Sequence, residues 1–182
     1  SEVSEGKVTT RHLVEELEAI EGEVLPSVRK DIAKVAVVER HRATGNIGLG
    51  FVKGFGLERG AVASTVAHDS HNLLVMGVND LDMAFAANKL IEVGGGMIAV
   101  SEGKVLALVE LPIAGLMSER EAEEVSEEVA ALKEAWAKLG CKMVSPFMTM
   151  SLLALPVLPE LRITDKGLID TVEFRRIPTL VQ

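Results

Sequence analysis

Apolar positions along the chain change period several times, and each change marks an element. The run KVAVVER, from Lys34, is rich in β-branched residues and predicts a strand. GAVASTVAH and NLLVMGV predict two further strands, both buried, with DSH in the turn between them. NDLDMAFAANKLIEVGGG predicts a helix, capped by Asn79 or Asp80 and stopped by the glycines at 94–96. MIAVSEGKVLALVEL predicts a hairpin turning at 101–104. Its second strand, 105–111, is apolar on both faces and so predicts cover on both sides. SEREAEEVSEEVAALKEAWAKLG carries an apolar stripe of Ala122, Val125, Val129, Leu132, Trp136 and Leu139. Ser118 and Glu121 have capping-box spacing, and Gly140 ends this helix. In the tail, Pro146, Pro156 and Pro159 break any long element.

Residues 1–31 have a different character. Leu13, Leu17 and Ile20 stand at helical spacing before Gly22 and Pro26, predicting a short helix or a connector. Residues 32–182 then form the main domain. Strands come in runs with two helices inserted, without strict β-α-β alternation. The expected fold class is α+β, with largely antiparallel or mixed sheets and helices packed on the outer faces.

Between the first strand and GAVAS, glycines occupy positions 45, 48, 50, 54, 56 and 60. Neither a dinucleotide fingerprint nor a P-loop can be written through them. Glycine at this density points to bulges, tight turns, or a backbone surface that something approaches closely.

Composition narrows the function. The 182 residues are 48% hydrophobic and 25% charged, ordinary for a globular chain. A net charge of −8 argues against nucleic acid as main partner, since phosphate binding needs a basic footprint. No apolar run is long enough for a membrane helix, and the first residues do not resemble a secretory signal, so the chain is expected to be cytoplasmic or a piece whose beginning has been removed, with cytoplasmic the expected setting. The single cysteine, Cys141, reads as a packed thiol rather than a nucleophile. His12, among charged residues, reads as solvated.

The stretch VAHDSHN, 66–72, concentrates polar chemistry in His68, Asp69, Ser70, His71 and Asn72. A metal site would want three or four ligands, and no His-x-His or His-Glu-x-x-His is present. Ser70 lies between Asp69 and His71, and adjacent side chains rarely aim at each other, so a nucleophilic triad is a poor fit. Two readings stay open. One is a polar turn bonded to local backbone. The other is a surface, including Glu39 and His41 from VVERH, that another domain or subunit completes.

The long glycine-rich block joined to AHDSHN, together with NKLIEVGGGMIAV, LPIAGLMS and LGCKMVSPFMTMSLLALPVLPELRITDKGLID, resembles the carboxy-terminal region of microbial adenine deaminases. The resemblance runs from about Asp31 to the end and is less clear before it. It implies a piece of an amidohydrolase that converts adenine and water to hypoxanthine and ammonia in purine salvage, with a divalent metal, Mn or Fe, in a (β/α)₈ barrel. The ligands of that metal precede this region in the family, and 182 residues fall short of the ~250 typical of such a barrel. The chain is therefore expected to hold no complete TIM barrel and no metal or other cofactor, and to be inactive alone. The expected partners are a barrel domain in cis or trans, adenine as substrate of the complete enzyme, and further copies in a homo-oligomer. A stand-alone small-ligand or protein-binding module, or a self-contained metal hydrolase, are the alternatives.

Overall fold

The computed structural model describes residues 1–181. Its elements, in chain order, are β1 (Ala19–Ile20), β2 (Glu23–Val24), β3 (Ile32–Val38), β4 (Ile47–Lys53), β5 (Ala61–Ser64), β6 (Leu73–Gly77), α1 (Asp80–Glu92), β7 (Gly96–Ser101), β8 (Lys104–Glu110), α2 (Ala122–Lys138), α3 (Pro146–Ser151), β9 (Leu161–Thr164), β10 (Gly167–Asp170) and β11 (Arg175–Ile177). Six strands make one open sheet in the order β4-β3-β6-β5-β7-β8, every pairing antiparallel. β9, β10 and β11 form a small second sheet. Over the described residues the fold is α+β, with open sheets and no barrel.

Alternate residues of the central strands point to opposite faces, so the sheet carries two cores. On one face Ala36, Ala61, Ala63, Leu73, Val75, Ile98 and Val100 meet Met83, Ala86 and Leu90 of α1. On the other, Val35, Val37, Val62, Leu74, Met76, Ala99 and Val109 meet α2, α3 and the small sheet. Trp136 centres this second core, with the Phe55 ring 5.9 Å away and the Phe147 ring 5.1 Å away and perpendicular. Asn79 caps α1, its Oδ1 accepting from the Asp82 amide at 2.8 Å. Asp82 is itself buried and accepts from the amides of Glu102 and Gly103, which fixes the β7–β8 turn to the start of the helix.

Gly48 and Gly50 of the glycine block fall in β4, and they serve the close approach the composition suggested, while Gly45, Gly54, Gly56 and Gly60 take positive φ outside it. A Cβ at Gly48 would overlap the Thr164 carbonyl oxygen, and one at Gly50 would lie 2.9 Å from Leu168 Cδ2. What approaches is the chain's own tail, because β9 and β10 lie directly on the β4 backbone. Buried Arg162 anchors this tail by donating to the carbonyls of Leu158, Leu152, Val8 and Pro159.

Three local expectations fail. Of the short helix or connector expected over 1–31, the helix does not form at residues 11–24; β1 and β2 make a two-residue hairpin, with Glu21 and Gly22 at φ 51° and 87°. Three apolar residues among many glutamates bury too little to hold so short a helix, and short helices are marginal without packing. β8 is not covered on both sides. It is the sheet's last strand, with Val105 39% and Leu106 40% exposed, because α1 packs over β5, β6 and β7. The capping box does not form either. Ser118 Oγ accepts from Arg120 N, and α2 starts later, after Glu121, with no side-chain cap. The stripe on α2 is consequently buried only toward its end, at Leu132, Ala135, Trp136 and then Leu139, while Val129 is 43% exposed.

Two substitutions test this packing. Trp136→Ala removes the centre of the larger core and is expected to cost about 3–5 kcal/mol, read as a fall of roughly 10 °C in Tm. Gly48→Ala drives a methyl group into backbone, so a loss of about 1–3 kcal/mol is expected in urea unfolding. Amide protection should fall in β9 and β10 and hold in β6 and β7.

Candidate functional site

Because all six strands alternate in direction, the end of β3, the end of β5, the start of β6, the start of β7 and the end of β8 share one edge of the sheet. The segments leaving this edge carry all seven candidates: Glu39 and His41 after β3, and His68, Asp69, Ser70, His71 and Asn72 between β5 and β6.

Glu39 spends its carboxylate on its own turn. It accepts from the amides of His41 (2.6 Å), Arg42 (2.9 Å) and Thr44 (3.0 Å), and from the Thr44 hydroxyl. These bonds, that from the Thr44 amide above all, hold it at about 2, well below an ordinary glutamate. So strong an acceptor for local amides is a turn-former rather than a proton carrier at neutral pH. The fixed turn delivers His41 to the neighbouring segment, where Nε2 donates to the Ser70 carbonyl at 2.6 Å. Ser70 thus contributes its backbone to the cluster. Buried Asn72 accepts from the Arg40 amide at 3.3 Å.

His71 takes a left-handed conformation, φ 49°, closing a turn in which its amide donates to the Ala67 carbonyl at 2.7 Å. Its Nδ1 accepts from the Ala67 amide at 3.2 Å. His68 stands beside it, ring centroids 5.7 Å apart and edge to face. Burial first, then the charges of His68, Arg40 and His41, push His71 below the usual histidine value, with Asp69 opposing. Asp69 and Ser70 are exposed.

The sequence reading omitted Arg40, Thr65 and the turn at Ala114 and Gly115. Arg40 donates through Nε to the His71 carbonyl (2.6 Å) and through Nη2 to the Ala114 carbonyl (2.7 Å). Thr65 Oγ1 donates to Gly115 O at 2.6 Å and accepts from Gly96 N at 2.8 Å. Together they tie the histidine turn to the segment after β8. Arg40 lies inside VVERH and Ala114 inside LPIAGLMS, so both were in view; what hid them was that their partners are distant in sequence.

Elsewhere, Cys141 is buried and its thiol is pushed up by burial, as a packed side chain should be. His12 is exposed, and its amide donates to Glu160 Oε2. A groove of about 540 Å³ lies toward the opposite end of the sheet, where Phe51 to Lys53 and Ile32 meet residues 177–181; it shares no residue with the cluster. Among the described residues, no group of three or more His, Cys, Asp or Glu is placed to hold a metal ion. No helix among them is long and apolar enough to cross a membrane.

The family model described as "Adenine deaminase C-terminal domain" matches residues 7–175. An adenine deaminase of Moorella thermoacetica is 61% identical over 176 residues, which is 97% of this chain and 30% of that protein. One of Clostridium botulinum (strain Langeland) is 56% identical over 94% of this chain and 28% of its own length. One of Methanothrix thermoacetophila is 51% identical over 99% and 32%. The match takes in most of the first thirty residues, where the resemblance was less clear by eye. The chain spans about a third of the length of these relatives, and it belongs to the adenine deaminase C-terminal domain family.

Proposed function

We propose that this chain is the carboxy-terminal part of a hydrolase converting adenine and water to hypoxanthine and ammonia, and that its histidine-bearing sheet edge closes or supports the active site of a separate barrel domain. The observation that carries the reading is the convergence of His41, His68, His71 and their neighbours from two segments on one surface, in a chain spanning 28–32% of the relatives named above. Among the described residues no three His, Cys, Asp or Glu are gathered as a metal site would want, and this reading assigns the divalent ion it implies, Mn or Fe, to the barrel. On this reading the complete enzyme is a cytoplasmic homo-oligomer, with the exposed side chains of Met117, Val144, Met148 and Val157 among the apolar surface open to association.

A second reading, a stand-alone small-ligand module, draws on the groove of about 540 Å³. Saturable binding of adenine to this chain alone, lost on filling the groove with Leu17→Trp, would favour it.

Two outcomes follow from the main reading. The chain alone releases no ammonia from adenine; robust unaided turnover would sink the proposal. In the complete enzyme, His68→Ala and His71→Ala each lower kcat/KM by at least about tenfold, some 1.4 kcal/mol of transition-state stabilisation. For His68→Ala, Tm should move by no more than about 3 °C, the shift expected of a loss near 1 kcal/mol; His71→Ala also strips the Ala67 amide of its acceptor, so its Tm falls further, by up to roughly 10 °C for a loss of about 1–3 kcal/mol. Losses of activity that merely track Tm would return both histidines to a structural role.

A further inference from the structure

The histidine turn restricts what His71 can do. In a neutral imidazole one ring nitrogen carries the proton and the other holds a lone pair. The Ala67 amide donates to His71 Nδ1, so the lone pair is there and the proton is on Nε2. Moving the proton to Nδ1 would set two N–H groups against each other and leave the Ala67 amide unpaired, at a cost of about 1–3 kcal/mol. A metal cannot bind Nδ1, which is occupied, and cannot bind Nε2 without that same proton shift.

Arg40 holds the arrangement from the other side. Its Nε fixes the His71 carbonyl, its Nη2 fixes Ala114, and its own amide is fixed by buried Asn72. Four titratable groups face the ring: His68, Arg40, His41 and Asp69. Three of them are or can become cations, so a second positive charge on His71 is opposed.

We propose that Arg40 is a positioning residue which, with the Ala67 amide, presents His71 as an Nε2–H hydrogen-bond donor, closed to metal coordination and to general-base use. The partner this suits is a hydrogen-bond acceptor such as a carbonyl oxygen or an unprotonated aromatic ring nitrogen. Having such a partner rests on the docking proposed above; the tautomer does not, since it follows from the Ala67 amide and the turn that Arg40 holds in place. The linkage has a sign. A histidine whose folded value lies below ~6.5 contributes stability above that pH and loses it as pH falls. The turn should therefore loosen in mild acid, before the carboxylates titrate.

Histidine-selective ¹⁵N NMR reads all of this. In the chain alone, His71 is expected to show a protonated Nε2 and an unprotonated Nδ1 at neutral pH. It should titrate below an ordinary histidine and not move when zinc is added. Arg40→Gln should raise its titration point and admit the other tautomer. A protonated Nδ1 in the parent chain, or a zinc-shifted His71, would overturn the donor assignment. An unchanged His71 in Arg40→Gln would overturn the role of Arg40. In the complete protein, a shift of Nε2 that needs adenine identifies a ring nitrogen, and one present without adenine identifies a protein carbonyl. A resonance the same in both as in the chain alone would remove the docked partner while leaving the tautomer standing.

Discussion

Both faces of the central strands are apolar, and that constraint organises the molecule. A sheet of this kind exposes two greasy surfaces unless something lies on each, and burying one face alone would leave half its apolar area in water. α1 takes one side and α2, α3 and the β9–β11 sheet share the other. Polar chemistry is then excluded from both faces and has to collect at the strand ends. With all neighbours antiparallel, alternate connections emerge at the same edge, and residues as far apart as Arg40 and Ala114 become hydrogen-bonded neighbours.

The two outer strands are managed differently. β4 has its free side paired in part by the start of the chain, where Val3 N donates to Lys53 O and Lys53 N to Ser1 O. Its glycines also give the tail a flat backbone to lie on. β8 is left open on its outer side, but it begins with Lys104, ends with Glu110 and meets β7 through a bulge at Ala99/Val100. Charged ends and a bulge are ordinary protections against edge-to-edge pairing.

What was legible in the sequence follows the range of the interactions. β3, β5, β6 and α1 were readable because their signals, β-branched runs and an Asn cap, are local and the fold agrees with them. Around Leu13 and Leu17, of the short helix or connector expected, the helix does not form, because spacing alone says nothing about whether a surface exists to receive the stripe. Cover for β8 failed because its place at the edge depends on strand order, which hydropathy does not contain. The site divides in the same way. The seven polar residues stood out by type, and the structure gathers them. Arg40 and Thr65 did not stand out, because their importance lies in carbonyls and amides supplied from 31 to 74 positions away.

This division bears on how the edge can act. Most of its hydrogen-bonding capacity is turned inward: the Glu39 carboxylate to three amides, His41 to Ser70, Asn72 and Arg40 to each other and to two carbonyls. Such inward bonds make a surface rigid before anything binds, which lowers the ordering cost of binding. They also narrow the chemistry left over. A carboxylate already holding several amides is a poor proton acceptor, and an imidazole whose lone pair is taken is a poor ligand. What this leaves unengaged at the edge is a small set of donors at fixed positions, with Asp69 exposed in the same turn and Ile113 and Met117 exposed in the segment after β8. A surface of that kind is better suited to orienting a group whose chemistry is done elsewhere than to carrying out a hydrolysis itself.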